Sequence, residues 1–580
     1  MFSMSSNVFL LAMLLISFGF FISSGAGPAP KGPPFAPKAP PKGPGPAPPK
    51  RPVKGPGTTP PKGPVPSDPN SIYKSFVECL PTLSPQPDPT FASIVHSSTA
   101  NSSTYTKTLV DKIKNRRYNT TSTPKPAIIV TPTKEAHVQA TVLCAKKLGI
   151  QIKIRSGGHD YEAVSYVSSE KNFILLDMFN FKTVDVNIAT ETAVVQVGAQ
   201  LGDLYYRISE KSQIHGFPAG ACPTVGAGGH ISGAGYGTMI RKYGVTVDHV
   251  IDAKIVDVNG KLLDRKAMGE DLFWAIRGAG GSSFCVIISF TIKLVPVPKV
   301  NTVFRVERTI EQNATDILVK WQAVMPTIDH DLWIRILVQP VTLNNKNTIR
   351  VTFMSLFLGD SARLLGLMSK QFPELGLKKE DCFDVSYIQA KLYWANFDYN
   401  KTKPELLMDR HSDTVKFIKR KSDYVQTAIP KAGLTAIFNK LLALGKVGLV
   451  FNPYGGKMNE VPANAVPFPH RAGNLFKVQY SMNWEETDPK TTETILNQGK
   501  AMYEFMTPYV SKNPRGAFIN YRDFDIGVNS GDGFASGKVY GEKYFKGNFE
   551  RLVKIKTAVD PDNFFRNEQS IPTLPKRNKG

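Results

Sequence analysis

One histidine and one cysteine, each beside a glycine-rich stretch, are the residues of this chain best suited to chemistry on a bound group. The histidine, His159, ends the segment Arg155-Ser156-Gly157-Gly158-His159, which follows a predicted strand. Glycines allow a backbone to approach a ligand closely and to adopt positive φ. The pattern therefore predicts a histidine presented to a cofactor. The alternative is a turn with a surface histidine held by hydrogen bonds.

The cysteine, Cys222, opens a stretch of sixteen residues that ends at Gly237 and contains six glycines. Such a run does not suit a stable helix interior. It predicts a loop whose backbone N–H groups face an anion such as a pyrophosphate. The stretch lacks the Gly-Lys-Ser/Thr ending of a P-loop, and no clear strand leads into it as a Rossmann motif requires. The alternative is a structural glycine-rich loop.

A third segment, from Asp271 to Gly281, has the pattern of a helix that ends in glycines. It could bring backbone amides to a nucleotide. On its own, however, the pattern is only that of a helix C-terminal cap.

Hydrophobic spacing indicates the elements that must position these residues. We expect strands at 127–130, 151–155, 173–178, 192–197, 303–309, 348–358, 449–454 and 475–484, and helices at 71–80, 133–148, 201–210, 361–371, 409–420 and 488–507. A βαβ-like opening followed by mixed strands predicts an α+β fold.

The domain organisation follows from changes in composition. Residues 1–26 read as a secretion signal with a short apolar core, and an uncleaved anchor is the alternative. Residues 27–66 are rich in Pro, Gly and Lys and predict a disordered, partly polyproline-II tail. We expect a cofactor-binding domain at 70–298, a substrate domain at 299–510 and a C-terminal segment, 511–575, that returns to the first domain.

The net charge of +23 indicates attraction to polyanions. Seven of the lysines and arginines lie in the tail, which has no acidic residue. We interpret the charge as adhesion to an acidic matrix, with plain solubility as the alternative. The tail would be either a spacer or an arm that binds an acidic cell-wall polysaccharide. No nucleic-acid module and no later membrane-spanning stretch is visible.

Cysteine usage and glycosylation sequons agree with secretion. The five cysteines are an odd number, so at least one lacks an ordinary disulfide partner. Sequons for N-glycosylation occur at Asn101, Asn119, Asn313 and Asn400. We therefore expect an extracellular or cell-wall glycoprotein.

Four motifs together resemble the plant berberine bridge enzyme-like oxidases, a family of the vanillyl-alcohol-oxidase type of FAD protein. They are the Arg-Ser-Gly-Gly-His block at 155–159, Cys-Pro-Thr-Val-Gly at 222–226, Asn-Tyr-Arg-Asp at 520–523 and the closing block at 563–572. The resemblance covers about residues 70–575. It implies an α+β fold in which a two-part PCMH-type FAD-binding domain accompanies a substrate domain of antiparallel sheet and helices.

The resemblance implies that FAD is held by two covalent bonds. His159 would bond the 8α-methyl carbon of the isoalloxazine ring and Cys222 would bond C6. It further implies a disulfide between Cys79 and Cys144, which leaves Cys285 and Cys382 as free buried thiols. Cys285 stands where relatives usually have glycine. Further cofactor contacts implied by the resemblance are Arg155, Ser156, Gly157, Gly158, Val225, Gly226, Gly229, His230, Gly233 and Asn520.

The resemblance also assigns the substrate side. Tyr236 would take the proton of the substrate alcohol while hydride passes to the flavin, and the ammonium of Lys477 would favour its phenolate. Lys477 and Gln479 alternate on one strand and therefore face the same side. Tyr161 and Tyr521 would complete the pocket. His230 would stabilise negative charge on the reduced ring.

These assignments predict a secreted, monomeric FAD-dependent oxidase. Its substrate would be a small alcohol, either a monolignol-like allylic alcohol or the reducing end of an oligosaccharide. Val225 matches the family's oxygen-gating position, so we expect O2 as the second substrate and H2O2 as the product. One alternative is an oxidative cyclase of specialised metabolism with Tyr521 as the base. The other is a non-catalytic wall-associated protein.

Overall fold

The computed structural model describes residues 68–411, 415–530 and 533–575. The predicted signal at 1–26 and the predicted tail at 27–66 both lie outside the described residues. Among the described residues, no helix is long and apolar enough to cross a membrane.

The elements of the first half alternate short strands and helices. Strands β1 to β11 are Val95–Ser97, Ile128–Val130, Gln151–Arg155, Phe173–Asp177, Val184–Asn187, Thr192–Gln196, His215–Gly216, Val250–Val256, Leu262–Leu263, Val286–Lys293 and Val295–Pro296. Helices α1 to α8 are Pro69–Leu83, Phe91–Ile94, Ser102–Val110, Glu135–Leu148, Leu201–Lys211, Ala227–Ser232, Ile240–Tyr243 and Arg265–Ile276.

The second half contains longer strands. Strands β12 to β18 are Asn301–Thr309, Leu332–Leu343, Lys346–Phe357, Cys382–Val385, Phe417–Val425, Gly448–Pro453 and Phe476–Trp484. Helices α9 to α16 are Ala314–Val324, Ser361–Gln371, Tyr387–Trp394, Lys431–Leu444, Lys457–Glu460, Pro489–Phe505, Gly533–Phe545 and Phe549–Val559.

The first half folds into two main sheets. In the sheet ordered β1-β2-β4-β3, strand β4 runs parallel to both β2 and β3, and β1 is antiparallel to β2. The sheet ordered β5-β6-β10-β8-β9 is antiparallel throughout. Strand β3 lies at an edge of its sheet, and the chain leaves it directly into the glycines at 157 and 158.

The second half is organised around one antiparallel sheet of seven strands, ordered β15-β12-β14-β13-β17-β18-β16. Strand β16 forms one edge and pairs with β18 along its whole length, from Phe417 opposite Trp484 to Val425 opposite Phe476. Residues of β18 alternate between the cavity described below and a hydrophobic core that includes Val478, covered by helices such as α12 and α14. Mixed helices and antiparallel strands confirm the predicted α+β fold.

The disulfide implied by the resemblance is present. Cys79 on α1 and Cys144 on α4 are bonded, with their Cα atoms 5.9 Å apart. Both cysteines lie in the hydrophobic core of the first half. The bond joins the first described helix to the layer that covers β3 and its neighbours. Cys285 and Cys382 are buried and lie outside any disulfide.

The C-terminal segment packs against the first half of the chain. Tyr540, Phe549 and Ile571 belong to the same hydrophobic core as Ile128 and Leu176. Lys556 is buried and donates to the carbonyl oxygens of Ser283 and Phe565, 2.7 Å away in each case. The boundaries at 298 and 510 remain a prediction, for which this packing and the seven-stranded sheet between residues 301 and 484 are the support.

One predicted element is wrong. Spacing favoured a helix at 409–420, but the chain forms strand β16 from Phe417 onward and a short 3-10 helix, Pro404–Met408, before it. The physical reason is tertiary. The charged residues at 419–421 are buried in ion pairs and hydrogen bonds to other segments, and the backbone is satisfied by the ladder with β18. Residues 412–414, inside the predicted helix, lie outside the described residues.

All four asparagines of the predicted glycosylation sequons are exposed. Asn101 and Asn119 lie in the first half of the chain, whereas Asn313 precedes α9 and Asn400 lies between α11 and the following 3-10 helix. Each position would leave room for a glycan, and glycosylation itself stays a prediction.

Candidate functional site

A large cavity lies where the glycine-rich loops of the first half face the seven-stranded sheet. Its walls include residues 156–161 and ten of the residues between 220 and 233 on one side, Arg335 of β13 and Gln479 of β18 on the other, and residues 518–522 of the C-terminal segment. The site is therefore assembled from all three parts of the chain.

The two glycine-rich loops contact each other through their backbones. A Cβ atom added at Gly157 would collide with the backbone of Gly226, and one added at Gly226 would collide with Gly157. Gly158 adopts φ +71°, which favours glycine. Ser156 donates a hydrogen bond to the carbonyl of Val197 and so ties the first loop to the end of β6.

His159 and Cys222 line the same cavity. The Nε2 atom of His159 lies 2.9 Å from the hydroxyl of Thr224, two residues after Cys222. The structure therefore brings the two predicted attachment residues together. Val225, Gly226, Gly229 and Gly233 also line the cavity.

The second glycine-rich stretch is not a loop throughout. Contrary to the prediction, residues 227–232 form the short helix α6. Glycines are accepted there because the helix packs very closely, and a Cβ at Gly228 would come within 2.9 Å of the Val197 side chain. Gly229 faces open space instead, since a Cβ there would meet no protein atom within 4 Å.

His230 lies on α6 and is held as a neutral imidazole. Its Nε2 atom accepts a hydrogen bond of 3.2 Å from the Gly220 N–H, so in the neutral ring the proton is on Nδ1. Burial, with a smaller effect of the Lys477 charge, lowers the pKa of His230 to about 3. His230 can thus donate a hydrogen bond but does not carry a positive charge at neutral pH.

Asn520 fixes the C-terminal segment against this helix. Its side-chain amide donates a 3.0 Å hydrogen bond to the carbonyl of His230. A Cβ added at Gly233 would collide with the same amide. The motif at 520–523 therefore enters the cavity wall through direct contact with the second glycine-rich stretch.

Arg155 does not line the cavity. Its guanidinium points away from it and donates to the carbonyl oxygens of Thr108 and Leu109 and to the carboxylate of Asp177, at 2.6 Å, 3.1 Å and 2.8 Å. The expected direct cofactor contact is replaced by a buried ion pair that fixes the end of β3, just before the glycines.

The third glycine segment also differs from the expectation. The N–H groups of Gly278 and Gly280 donate to the carbonyl of Ser232, 2.8 Å and 2.9 Å away. They therefore secure the end of α6 and do not face a nucleotide. Gly280, Gly281 and Cys285 nevertheless line the cavity.

The substrate side is built on β18. Lys477 and Gln479 face the same side of the strand, and both are buried, which excludes an exposed strand lysine. The Lys477 ammonium lies 3.2 Å from the ring centroid of Tyr236, 3.7 Å from that of Phe518 and 4.5 Å from that of Tyr521. It contacts ring faces, whereas the sequence-based interpretation placed it beside a hydroxyl.

Tyr236 and Tyr521 are in direct hydrogen-bond contact through their hydroxyl groups. Burial raises the pKa of Tyr236, and the charge of Arg335 acts in the opposite direction. Burial likewise raises the pKa of Tyr521 well above its ordinary value. Both phenols are therefore protonated at neutral pH in this arrangement, and a nearby cation is needed to favour loss of a proton.

Tyr161 lies on the other side of Tyr521, with ring centroids 5.8 Å apart. The side-chain amide of Gln479 is 3.5 Å from its hydroxyl. The guanidinium of Arg420, on β16, lies 5.4 Å from its ring centroid. The two rings are therefore in tilted aromatic contact with each other, and both line the cavity.

Sequence reasoning missed three residues of this site: Arg335, Phe518 and Arg420. Arg335 is held by a 2.9 Å hydrogen bond from its Nε to Asn452 and lies 5.0 Å from the Trp333 ring centroid. No local motif marks it. The available signal was its place in the alternating run of β13, a strand that the hydrophobic spacing left unassigned.

The comparisons with known proteins define the class. A family model for an FAD-binding domain matches residues 126–265, and one for berberine and berberine-like proteins matches residues 517–572. These are the segments that carry the glycine-rich loops and the Asn520 motif. The cavity fits FAD, since open space lies in front of Gly229 and nucleophilic side chains of two loops line it. The protein is an FAD-linked oxidoreductase.

The chain belongs to the berberine bridge enzyme-like family. Berberine bridge enzyme-like 19 of Arabidopsis thaliana is 55% identical over 517 residues, which are 89% of this chain and 90% of the relative. Among solved structures, BBE-like 28 of Arabidopsis thaliana matches with a TM-score of 0.81 at 42% identity and covers 87% of this chain and 100% of its own.

A grass pollen allergen with glucose dehydrogenase activity, Phl p 4, is also similar. Its structure matches with a TM-score of 0.81 at 41% identity, covering 86% of this chain and 100% of its own. A variant of that allergen with one isoleucine replaced by valine is described as a glucose oxidase.

Proposed function

We propose that the protein is a secreted FAD-dependent oxidase that oxidises the hydroxyl of a small alcohol, with the reducing-end hydroxyl of a saccharide favoured over a monolignol-like allylic alcohol. The observation that carries the proposal is that Tyr236, Tyr521 and Arg335 line the same cavity as His159 and Cys222, with Lys477 packed against the Tyr236 ring. The glucose dehydrogenase activity of the similar pollen allergen favours the saccharide.

The chain's own residues would hold the cofactor and move one proton. Bound FAD supplies a hydride acceptor that returns the electrons to O2 and so releases H2O2. His159 and Cys222 would each form a covalent bond to it, and the Nδ1–H of His230 would donate a hydrogen bond. His230 would thus stabilise negative charge by a dipole, since its pKa of about 3 keeps it neutral.

In its phenolate form, Tyr236 would accept the proton of the substrate hydroxyl as hydride leaves the carbon that bears this hydroxyl. The surroundings of Tyr236 support this role. Lys477 lies against the face of the Tyr236 ring, and the charge of Arg335 lowers the pKa of its hydroxyl against the effect of burial. Tyr521 would share the proton through its contact with Tyr236, while Tyr161 and Gln479 would position the substrate.

A second function is favoured by one observation. The contact between the hydroxyl groups of Tyr236 and Tyr521 supports Tyr521 as an alternative base. That is the role expected for an oxidative cyclase of specialised metabolism. Tyr521→Phe would then abolish turnover of a cyclisation substrate, whereas the alcohol oxidase would lose more with Tyr236→Phe than with Tyr521→Phe.

The proposal is tested by substrate oxidation with peroxide detection. We expect H2O2 release with glucose, cellobiose or oligogalacturonides, and less or none with coniferyl alcohol. Release with coniferyl alcohol alone would move the assignment to monolignols, and absence of turnover with all of them would reject the alcohol oxidase. Val225→Leu tests the oxygen route: peroxide release should fall while turnover with an artificial electron acceptor persists.

The covalent attachment has its own test. Mass spectrometry of peptides containing positions 159 and 222 should show a flavin on both in mature protein. Unmodified side chains at both positions would reject the bicovalent assignment even if the enzyme were active.

Secretion is part of the proposal. The Cys79–Cys144 disulfide and the exposed sequon asparagines support it, because disulfides persist in oxidising compartments. Treatment with an N-glycosidase should lower the mass of protein collected from the culture medium. The basic residues at 27–66 should add affinity for pectin, and a chain without them should bind pectin less in low salt.

A further inference from the structure

A buried set of charges lies in the two chain segments that carry Tyr161 and Tyr521. Each tyrosine is followed closely by a buried carboxylate, Glu162 after Tyr161 and Asp523 after Tyr521. The two carboxylates therefore belong to the same two chain segments as the two cavity-lining rings, and any movement between these segments would change how the rings pack against each other.

Lys419, on the edge strand β16, connects the two carboxylates. Its ammonium contacts Glu162 and lies 2.7 Å from Asp523 and 3.3 Å from Asp525. Burial by itself would lower the pKa of Lys419, but the carboxylates, with Asp523 first, outweigh that effect and raise it. Lys419 therefore stays charged and acts as a bridge between the two segments.

Lys421 offers a natural comparison. It lies on the same face of β16, is equally buried, and pairs with Asp523 at 2.6 Å and with Asp525 at 2.7 Å. Among the described residues, it has no ion pair with Glu162. Lys421 thus supports the segment of Tyr521 alone, whereas Lys419 joins both segments.

The bridge opposes a specific repulsion. Two oxygens that touch one ammonium lie within about 6 Å of each other, given ordinary hydrogen-bond lengths. Without Lys419, Glu162 would keep Tyr118 and Arg117 as partners, and Asp523 would keep Lys421. Removing Lys419 would take away the cation that lies between the two carboxylates, and like charges at that distance in a buried site repel strongly.

We propose that Lys419 is a positioning residue that holds Tyr161 and Tyr521 in place against each other at the cavity wall, and through them sets the enzyme's affinity for its substrate. The inference deepens the proposed function, on which its kinetic part rests. Its structural part concerns the separation of the two rings, which does not depend on any substrate. In the parent structure the ring centroids are 5.8 Å apart.

The test compares Lys419→Met with Lys421→Met as holoenzymes. Both lose one buried ammonium, so both should lose thermal stability. In Lys419→Met, crystal structures should show a wider separation of the two rings, and KM should rise about tenfold with a smaller fall in kcat. In Lys421→Met, the separation and KM should stay within about twofold of the parent values.

A double variant separates positioning from general stability. Adding Glu162→Gln to Lys419→Met removes the repelling charge, so KM should return toward the parent value. Adding it to Lys421→Met should give no such recovery. Recovery of KM in the Lys419→Met background alone would indicate direct coupling between Lys419 and Glu162. A purely structural role for Lys419 predicts no recovery in either background.

Three outcomes would overturn the inference: unchanged ring separation in Lys419→Met, equal KM values in the two single variants, or no recovery in the double variant. If Lys419→Met does not accumulate, Lys419→Gln decides, because it removes the positive charge and keeps a polar side chain; wider separation and a KM rise of about threefold are expected, and unchanged values would overturn the inference. If the parent enzyme oxidises none of the test alcohols, the proposed function fails, and the crystal structures still decide the ring separation.

Discussion

The two sides of the cavity are built in opposite ways. The cofactor side consists of backbone and small residues from continuous stretches, where Gly157 and Gly226 touch without room for a Cβ. The substrate side consists of large charged and aromatic side chains from distant strands, such as Arg335 on β13 and Lys477 on β18. One side depends on close approach of backbones, and the other depends on charge.

This difference predicts different sensitivities. An added methyl group on the cofactor side should prevent the two loops from meeting, whereas the substrate side should tolerate changes of shape better than changes of charge. Lys477, for example, lies against three aromatic rings and next to the charge of Arg335. Burial, followed by that charge, lowers the pKa of Lys477 well below its ordinary value.

The largest expected effect is that of Gly157→Ala. The new methyl group would collide with the backbone of Gly226, so we expect protein that accumulates poorly or carries no flavin. Absorbance near 450 nm after acid precipitation measures the bound flavin, and its loss should be on the order of complete. Gly366→Ala on α10 is the control, since a Cβ there meets nothing within 4 Å. It should be neutral or stabilise by up to about 1 kcal/mol. A fully flavinylated Gly157→Ala protein would remove the contrast between the two sides.

Tyr236→Phe should have the next largest effect. Loss of a general base lowers kcat by about 10²–10⁴-fold, while flavin content should not change. Tyr105→Phe is the matched control: its buried hydroxyl donates to the carbonyl of Pro126, far from the cavity. It should cost about 1 kcal/mol of unfolding free energy with kcat preserved. Equal turnover of Tyr236→Phe and the parent would exclude Tyr236 as the base.

The cofactor side was largely predictable from the sequence because its residues are neighbours in the chain. The blocks at 155–159 and 222–226 identified the two loops, and their meeting in one cavity follows from the resemblance. Arg155 was assigned to the cofactor because it belongs to such a block, but its partner Asp177 is on another strand. A local motif does not show which way a side chain points.

The substrate side was predictable only in part. Lys477 and Gln479 were found through the alternation of one strand, but Arg335 has no motif, and its strand β13 was not assigned. Strand β16 was predicted as a helix. Its buried charged residues pair with carboxylates such as Glu162 and Asp523, which are each more than a hundred residues away in the sequence. Such tertiary pairs leave no periodic signal.

Arg335→Met tests the role of charge on the substrate side. A cation near a phenol favours the phenolate, so its loss should raise the pKa of Tyr236 further. At a fixed pH below that pKa, kcat should fall about ten- to hundredfold, and the ascending limb of the pH–rate profile should shift to higher pH by about one to two units. Arg308→Met on β12 is the control, since Arg308 donates to the carbonyl of Leu375 away from the cavity. An unshifted profile in Arg335→Met would contradict the charge-based account.

The smallest expected effect concerns His230, the titratable group of the cofactor side. Its folded pKa is about 3, against an ordinary value near 6.5, so between these values the unfolded chain binds more protons than the folded one. Stability should therefore fall as the pH drops below about 6.5 and stop falling for this group below about 3. At pH 5.5 the group lowers the unfolding free energy by about 1.4 kcal/mol.

His230→Gln should remove this part of the acid sensitivity, measured as the difference in unfolding free energy between pH 7.5 and pH 5.5. The value at pH 7.5 is the internal control, because there it reports only the hydrogen bonds and packing of the side chain. If the difference in unfolding free energy is the same in His230→Gln and the parent, His230 is protonated in the folded protein at pH 5.5. The cofactor side would then stabilise negative charge with a cation, as the substrate side does, and not with dipoles alone.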